Sequence, residues 1–410
     1  MRDMSGALSQ LRVLDLSRIL AGPWTTQILA DLGAEVIKVE RPGRGDDTRS
    51  WGPPFLRDFD GNDTSESAYF LSANRGKKSV TIDITREEGQ ALVRRLAERS
   101  DVLLENFKVS GLARFGLDYA SLQKLNPGLI YCSITGFGQT GPERDRTGYD
   151  AMIQAMGGLM GITGEPDGRP GAGPQKVGVA LADVLTGLYA AVAVLAALAH
   201  RERSGAGQYI DLALLDVQIA CLANQAMNYL VSGVAPGRLG TAHPNIVPYQ
   251  AFATSDGHLV VAVGNDDQFA RFCALAGRSE LASDARFSTN AARVRNREAL
   301  LPRVERMMRE RSTQQWVEVL EKADIPYGPI LGLDQVFEEP QAVHRGMRFE
   351  LPHPTAGSVP QVASPLRFSA SPVVYERPPP LLGEHNDDVL GELLGLGADE
   401  RGALREQGII

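Results

Sequence analysis

One carboxylate, Asp183, lies within an otherwise apolar stretch at residues 177–199. An ionised carboxylate among apolar neighbours is costly unless it is paired or hydrogen-bonded, so such a residue is either structural or functional. An aspartate near a helix start is usually a cap, and spacing alone favours that interpretation. The functional alternative is specific: a poorly hydrated carboxylate beside Gly178 and Gly187, which let a substrate approach closely, suits covalent catalysis by an acid side chain.

Basic residues follow the predicted strands of the first third of the chain. Surface charge of this kind usually only keeps a protein solvated. The carboxyl ends of parallel strands, however, are where α/β folds bind ligands, and the helix N-termini there favour phosphate. The pattern therefore indicates a phosphorylated ligand. The residues concerned are Arg18, Lys38, Arg41, Arg44, Arg75, Lys77, Lys78, Lys108 and Arg114.

Other chemical motifs are weak or absent. Residues 136–141 match G-x-G-x-x-G, but a charged segment at 142–146 follows where a dinucleotide-binding helix should begin. The histidines show no metal-ligand spacing, and no nucleophile elbow or Walker-type phosphate loop occurs. These observations disfavour a nicotinamide-dependent dehydrogenase, and they predict neither a metal site nor hydrolase or ATPase chemistry.

The elements that must position Asp183 and the basic residues alternate between strand and helix patterns. Because the connections are short, they predict an α/β fold with a parallel sheet covered by helices, in a Rossmann-like large domain. A capping box at Thr85 and Glu88 predicts the start of one helix. The predicted strands span 11–16, 34–39, 79–84, 101–107 and 129–134, and the first predicted helix spans 23–32.

The second half of the chain has a different pattern. Residues 150–232 are mostly helical, with a short strand near 208–212, and 177–199 is long enough to span a bilayer. Its alanine content and its aspartate favour a helix buried in a large core. A hairpin from 249, turning at Asp256 and Gly257, followed by amphipathic helices, predicts a smaller α+β domain.

Composition sets the broad class. The chain has 410 residues, 43% of them hydrophobic and 22% charged, which indicates a folded protein of two domains. Its net charge of −8 excludes a global electrostatic attraction to nucleic acid or anionic membranes. Its three separated cysteines predict no disulfide framework and favour a cytoplasmic location. Residues 1–11 show no secretory signal.

Several ordered motifs together resemble the class III coenzyme A transferase family, which includes formyl-CoA transferase and is closely related to α-methylacyl-CoA racemase. The similarity covers essentially the whole chain, and motifs in order at family spacing are more specific than any one of them. They occupy 14–16, 21–23, 33–42, 74–79, 105–107, 148–150, 182–183, 205–208 and 382–385.

The resemblance implies a reaction and a site. The catalytic aspartate of the family falls on Asp183, which attacks an acyl-CoA to give an aspartyl anhydride and then an aspartyl-CoA thioester. Tyr149 and Asp150 support catalysis. Coenzyme A thioesters are substrates, and no cofactor is tightly bound. The residues implied to bind coenzyme A are Leu20, Ala21, Arg41, Ile82, Asp83, Ile84, Thr85, Asn106, Phe107, Lys108, Arg114 and Arg146.

Departures from the family pattern distinguish between the possible reactions of the family. Formyl-CoA transferase has glutamine where this chain has Leu20, which disfavours formate or oxalate chemistry. Racemases carry a histidine at the position of Tyr149, and a tyrosine of ordinary pKa is a poor base, so transfer is favoured over racemisation. Residues 240–249 resemble the branch that moves CoA between succinate and other dicarboxylates such as glutarate. There His243, Asn245 or Arg238 either holds the second carboxylate or belongs to a polar interdomain loop.

The resemblance also implies the organisation of the molecule. A large α/β domain takes residues 1–224, a small α+β domain takes 225–325, and residues 326–410 return to complete the large one. Two copies form an interlocked homodimer. The nearest alternative function is a racemase, followed by a non-catalytic CoA-binding protein and a dehydrogenase.

Overall fold

The computed structural model describes residues 6–410, so the segment 1–11 lies partly outside the described range. The strands are β1 (Arg12–Asp15), β2 (Glu35–Glu40), β3 (Phe55–Arg57), β4 (Asp63–Ser67), β5 (Lys77–Thr81), β6 (Val102–Glu105), β7 (Ile130–Thr135), β8 (Tyr209–Ala213), β9 (Tyr249–Ala253), β10 (His258–Ala262), β11 (Tyr327–Pro329), β12 (Arg348–His353) and β13 (Gly357–Val362).

The α-helices are α1 (Ala21–Asp31), α2 (Ala68–Leu71), α3 (Glu87–Ala97), α4 (Tyr119–Leu122), α5 (Asp150–Met156), α6 (Leu159–Ile162), α7 (Leu181–Ser204), α8 (Leu214–Ala220), α9 (Ala223–Ser232), α10 (Asp266–Leu275), α11 (Ser279–Ser283), α12 (Asn290–Arg295), α13 (Arg297–Met308), α14 (Thr313–Lys322), α15 (Leu333–Val336), α16 (Pro340–His344) and α17 (Ala398–Glu406). Short 3₁₀ helices occupy Asp47–Ser50 and Ala113–Phe115, and a π-helical segment occupies Asp387–Leu393.

Contacts divide the chain into two units. Unit 1 comprises residues 6–157, 178–221 and 340–410, and unit 2 comprises residues 158–177 and 222–339. The ranges predicted from sequence differ, because they placed 158–177 and 326–339 in the large domain. In the structure β11 pairs with β10, and Arg238 donates to the backbone of Glu165, so both segments belong with unit 2.

Unit 1 is built on a six-stranded sheet of order β5-β2-β1-β6-β7-β8 with every pairing parallel. This confirms the predicted α/β class. In chain order of the six strands the arrangement is 3-2-1-4-5-6, the doubly wound order, in which the direction of winding reverses between β1 and β6. Ligands bind at this reversal, outside the carboxyl ends of the strands.

Helices cover both faces of that sheet. Neighbouring residues of one strand face opposite ways, so Val13 packs into one apolar cluster with α1 and α7, while Leu14 packs into the other with α3. Ile409 and Val389, from the last segment of the chain, belong to the α3 cluster. The end of the sequence therefore completes the core that its beginning starts.

The predicted capping box at the start of α3 is wrong. The N-cap residue is Arg86, and no side chain caps the helix. Thr85 instead donates through both its backbone N–H and its hydroxyl to the Asp83 carboxylate, at 2.9 and 2.7 Å, which makes a tight turn after β5.

Helix α7 is the apolar helix predicted from the sequence, but only one of its faces is buried in the core. It is long and apolar enough to cross a membrane by length and composition, and half of its most apolar window is buried. The buried residues recur at helical spacing and pack against α1, as at Ala190 and Val194. The opposite face of α7 is apolar and exposed in the single chain.

Unit 2 contains a three-stranded antiparallel sheet of order β11-β10-β9. The hairpin predicted from residue 249 is β9 and β10, joined at Asp256 and Gly257. Helices α10, α13 and α14 supply Phe272, Val304 and Trp316 to one apolar cluster against this sheet. The predicted strand and helix pattern of this region is therefore observed.

Candidate active site

A pocket of about 470 Å³ opens at the carboxyl end of the unit 1 sheet, where the winding reverses. Residues that follow β1, β6 and β7 converge there because parallel strands end at the same edge. All of its lining belongs to unit 1. The lining residues are Arg18, Ile19, Leu20, Ala21, Asp47, Trp51, Asn106, Phe107, Lys108, Val109, Ile134, Thr135, Gly136, Arg144, Asp145, Arg146, Thr147, Gly148, Tyr149, Asp183 and Leu214.

Asp183 lies on the first turn of α7 and is only 8% exposed. It does not cap the helix. Asp150 does so, because its Oδ1 accepts a hydrogen bond from the backbone N–H of Ala182 at 2.8 Å. Gln154 donates to the other oxygen of Asp150 at 2.8 Å. Asp150 therefore fixes the turn that carries Asp183 into the pocket.

The Asp183 carboxylate has no neutralising partner within residues 6–410. No cation pairs with it, and no hydrogen bond to it is formed by the described chain. Burial, assisted by the negative charge of Asp150, raises the pKa of Asp183 to about 7. At pH 8 the group is a poorly solvated anion, which is the form a carboxylate nucleophile requires.

Gly187 was expected from the sequence to let a substrate approach Asp183, but the structure gives it a different role. A Cβ there would lie 2.8 Å from the backbone oxygen of Ala21, and Thr25 donates to the Gly187 carbonyl at 3.1 Å. The glycine therefore lets α7 approach α1 rather than letting a substrate approach Asp183. Gly178, in contrast, has open space around its Cα.

The glycine loop after β7 forms another wall of the pocket. Gly136 and Gly148 are in backbone contact, since a Cβ on Gly136 would lie 2.6 Å from the Gly148 Cα. No helix begins until Asp150, so the loop lacks the helix of a dinucleotide fingerprint, as the charged residues after it indicate. Tyr149 ends the loop, lines the pocket and is 57% exposed.

Two aromatic residues of this region carry no recognisable motif and were missed in the sequence. Trp51 lines the pocket, and Tyr69 contacts it edge-on with ring centroids 5.1 Å apart. Burial and the charges of Asp183 and Asp150 raise the pKa of Tyr69 to about 12. The Tyr69 hydroxyl therefore stays protonated at neutral pH.

A second pocket of about 300 Å³ lies beside the first and shares Arg18, Asp47 and Phe107 with it. The second pocket lies at the same carboxyl edge of the sheet. The lining of the second pocket is Leu16, Ser17, Arg18, Lys38, Val39, Glu40, Arg41, Arg44, Gly45, Asp46, Asp47, Ile82, Asp83, Ile84, Thr85, Phe107, Arg114 and Phe115.

Three guanidinium groups in this second pocket, those of Arg41, Arg44 and Arg114, make no ion pair with the described carboxylates. Arg114 stacks on Phe115, with its guanidinium carbon 4.4 Å from the ring centroid. Unpaired guanidinium groups lining a pocket are suited to phosphate, which they bind with two parallel hydrogen bonds.

Four of the basic residues selected from the sequence are not available to a ligand charge. Lys38 pairs with Asp46 at 2.9 Å, Lys77 with Asp15 at 3.2 Å, Arg75 with Asp31 at 2.7 Å and Lys78 with Glu35 at 2.9 Å. The first three pairs are buried, so their charges are neutralised inside the protein. These four charges are therefore already paired within the protein.

The predicted coenzyme A contacts lie in the two pockets, with different surroundings. Leu20, Ala21, Phe107 and Lys108 line the first pocket, and Ile82 to Thr85 lines the second. The Asn106 amide binds the backbone of Arg18. Arg146 pairs with Glu143 at 3.0 Å and stacks over Phe137.

The residues predicted for a second carboxylate lie in unit 2. The His243 ring stacks on Tyr249, and its Nδ1 accepts from the backbone N–H of Asn245 at 3.0 Å. Asn245 exchanges hydrogen bonds with Asn228. Arg238 is paired with the exposed Asp167. All three side chains therefore have partners within unit 2.

The chain is similar to known coenzyme A transferases over most of its length. The sequence profile of CoA-transferase family III matches residues 8–386. Succinate–glutarate CoA-transferase of Agrobacterium fabrum is 52% identical over 386 residues, 94% of this chain and 95% of that protein. Human succinyl-CoA:glutarate CoA-transferase is 44% identical over 98% of this chain and 90% of that protein. The crystal structure of a CAIB/BAIF family protein from Brucella suis aligns with a TM-score of 0.83 at 50% identity, over 95% of this chain and 100% of that one.

The chain therefore belongs to CoA-transferase family III. The family resemblance read from the sequence motifs is confirmed, and the protein is an enzyme that uses coenzyme A thioesters.

Proposed function

We propose that this enzyme moves coenzyme A between succinyl-CoA and a dicarboxylic acid such as glutarate, with Asp183 as the nucleophile. One observation carries the proposal: a buried carboxylate without a cation faces a pocket that adjoins a second pocket with unpaired guanidinium groups. The names of the two CoA-transferase relatives support the choice of succinate and glutarate.

The proposed reaction exchanges acyl bonds without net uptake of water or protons. The Asp183 carboxylate attacks the thioester carbonyl, the carbon–sulfur bond breaks, and a succinyl-aspartyl anhydride and CoA thiolate form. The thiolate attacks the aspartyl carbonyl, which releases succinate and leaves an aspartyl-CoA thioester. The acceptor carboxylate displaces the thiolate again, and the thiolate attacks the acceptor carbonyl of the new anhydride, which regenerates Asp183.

Burial of Asp183 supports this sequence of steps in two ways. A poorly hydrated carboxylate is a stronger nucleophile than one in water, and exclusion of water protects the anhydrides and the thioester from hydrolysis. Asp150 supports the reaction by holding the first turn of α7 and Tyr149 by lining the pocket.

Coenzyme A is proposed to lie across the two pockets of unit 1. Its phosphates meet Arg41 and Arg114 in the second pocket, and the turn at 82–85 lines the same end. Its thioester end reaches the first pocket past Phe107, which lines both. That end is surrounded by Leu20, Ala21, Lys108 and Arg146. Asn106 contributes indirectly, because its amide holds the backbone of Arg18, which lines the same pocket.

For the second carboxylate of the acceptor we propose His243, Asn245 and Arg238. Each carries an N–H donor, and the Arg238 partner, Asp167, is exposed and exchangeable. Arg238→Gln is expected to raise the KM for glutarate without changing the dissociation constant of free coenzyme A, which has no acyl carboxylate. Equal change in both values would remove Arg238 from acceptor recognition.

We also propose that the working form is a homodimer. The side of α7 that faces away from the unit 1 core exposes Leu188, Tyr189, Val192 and Leu195. A continuous apolar helix face is typical of a protein–protein contact. Sedimentation at several protein concentrations tests this, and a monomer at micromolar concentration would contradict it.

The test of the function is to incubate the protein with succinyl-CoA and a panel of mono- and dicarboxylates, and to identify new acyl-CoA species by mass spectrometry. Glutaryl-CoA is expected from the native chain and is expected to be absent with Asp183→Ala, while CoA binding is retained. Exchange of the α-proton of a 2-methylacyl-CoA without any new thioester would favour the racemase instead.

A further inference from the structure

The turn between β1 and α1 has a strained backbone. Ile19 has a φ of 73°, a left-handed conformation that β-branched residues rarely adopt. Holding such a residue there costs free energy, so it persists only where its surroundings fix it. The turn leads directly into Leu20 and Ala21, which line the pocket that contains Asp183.

Side chains from the ends of β6 and of β1 itself hold the backbone of this turn. The Asn106 side chain accepts from the N–H of Arg18 at 2.9 Å and donates to the carbonyl of the same residue at 2.7 Å. The Asp15 carboxylate accepts from the N–H of Ser17 at 2.9 Å. The turn is therefore fixed immediately before the strained residue.

Asp46 holds the strained residue itself. Its Oδ1 accepts from the N–H of Ile19 at 3.2 Å, and also from the N–H and hydroxyl of Thr48 at 3.0 and 2.8 Å. Its Oδ2 accepts from Lys38 at 2.9 Å, and Lys38 also donates to the Ser17 carbonyl at 2.8 Å. Asp46 and Lys38 are buried, and together they hydrogen-bond to the backbone at both ends of the turn, at Ser17 and Ile19.

We propose that Asp46 is a positioning residue for acyl-CoA binding: with Lys38 it holds Ile19 in the left-handed conformation that places Leu20 and Ala21 against the ligand. The proposal extends the function proposed above, but it depends only on the binding of coenzyme A.

The expected effect follows from population shift. If the turn relaxes when Asp46 is altered, only a fraction of the molecules has the binding-competent pocket, and the apparent dissociation constant rises by the inverse of that fraction. Once ligand is bound, its contacts select the competent turn. The KM for succinyl-CoA therefore rises while the kcat at saturation changes little.

The decisive variant is Asp46→Asn, alone and combined with Ile19→Gly. An asparagine at position 46 has one oxygen acceptor and one NH₂ donor. Its NH₂ group must point either at Lys38 or at the Ile19 N–H, which are both donors, so one of the two hydrogen bonds is lost in either orientation. We expect the dissociation constant of coenzyme A, measured by calorimetry, to rise about ten-fold. Because glycine adopts the left-handed conformation without strain, Ile19→Gly is expected to restore most of the affinity in the Asp46→Asn background.

A purely structural explanation predicts a different pattern. Asp31→Asn is the matched control, since Asp31 is a buried aspartate paired with Arg75 in the same unit and lines neither pocket. It is expected to lower the unfolding midpoint while leaving CoA affinity and KM unchanged. Unchanged affinity in Asp46→Asn, or additive effects of Asp46→Asn and Ile19→Gly, would overturn the proposal.

The binding measurement separates this proposal from the function proposed above. If glutaryl-CoA does not form but Asp46→Asn weakens CoA binding and Ile19→Gly restores it, the acceptor is wrong and the positioning residue stands. If transfer proceeds normally in Asp46→Asn with native KM, the positioning residue is wrong and the function stands.

Discussion

Asp183 and Asp46 are both aspartates shielded from water in unit 1, yet their pKa values move in opposite directions. Burial raises the pKa of Asp183 to about 7, with Asp150 adding to the shift. Burial also acts to raise the pKa of Asp46, but the charge and hydrogen bond of Lys38 lower it to about 2. Within this pair, the neighbouring cation rather than burial decides the direction in which the pKa moves.

The strongest way to break this comparison is to remove the cation. Lys38→Met is expected to destabilise the protein by about 3–5 kcal/mol, because it leaves Asp46 buried without its partner. Urea unfolding measures the change. A loss below about 1 kcal/mol would show that Asp46 is neutralised by other means.

Removing the charge of Asp183 is expected to have the opposite sign. Asp183→Asn is expected to gain on the order of 2 kcal/mol of stability at pH 8 while abolishing transfer, because it removes a buried unpaired anion. The folded-state pKa lies above the ordinary value of 3.8, so the penalty of the native anion is full above pH 7 and absent below about pH 4. Unfolding at pH 8 and pH 4 should therefore show a gain at pH 8 that disappears at pH 4.

The pH dependence of activity sharpens the same contrast. The value of kcat/KM for succinyl-CoA is expected to rise with pH and level off above about pH 7, since Asp183 must be ionised in the free enzyme. Asp150→Asn removes the charge that adds to the shift and is expected to move this limb toward lower pH. If the pH dependence of kcat/KM is the same in Asp150→Asn, the whole rise in the pKa of Asp183 is due to burial.

The smallest effect is expected next to Asp46. Asp47→Asn breaks an exposed pair with Arg18, 2.9 Å apart, and is expected to change the free energy of unfolding by less than about 0.5 kcal/mol. Urea unfolding under the same conditions as for Lys38→Met makes the comparison. A loss as large as that of Lys38→Met would contradict the distinction between buried and exposed pairs.

The sequence predicted the parts of the site that depend on local pattern. The strands after which ligands bind were recognisable by their apolar runs, and Asp183 by being the single charge in residues 177–199. The sequence did not reveal which basic residues are already paired. Lys77 and Asp15 are 62 positions apart in the chain and meet only because β5 and β1 lie in one sheet.

Close packing was equally hidden from sequence reasoning. Gly187 was read as space for a substrate, whereas its partner is the backbone of Ala21, far away in the chain. Trp51 and Tyr69 have no motif, so only the folded arrangement brings Trp51 to the pocket and Tyr69 against it. The assignments of individual coenzyme A contacts stay predictions.

The adjacency of the two pockets has a consequence for the leaving group of the proposed reaction. They share Arg18, Asp47 and Phe107, so a ligand that occupies both remains held in the second pocket when its bond in the first is cut. In the proposed reaction the freed thiolate then returns as an intramolecular reactant, at an effective concentration set by a short tether rather than by the solution. Cleavage and re-formation of the acyl bond thus become two events of one encounter.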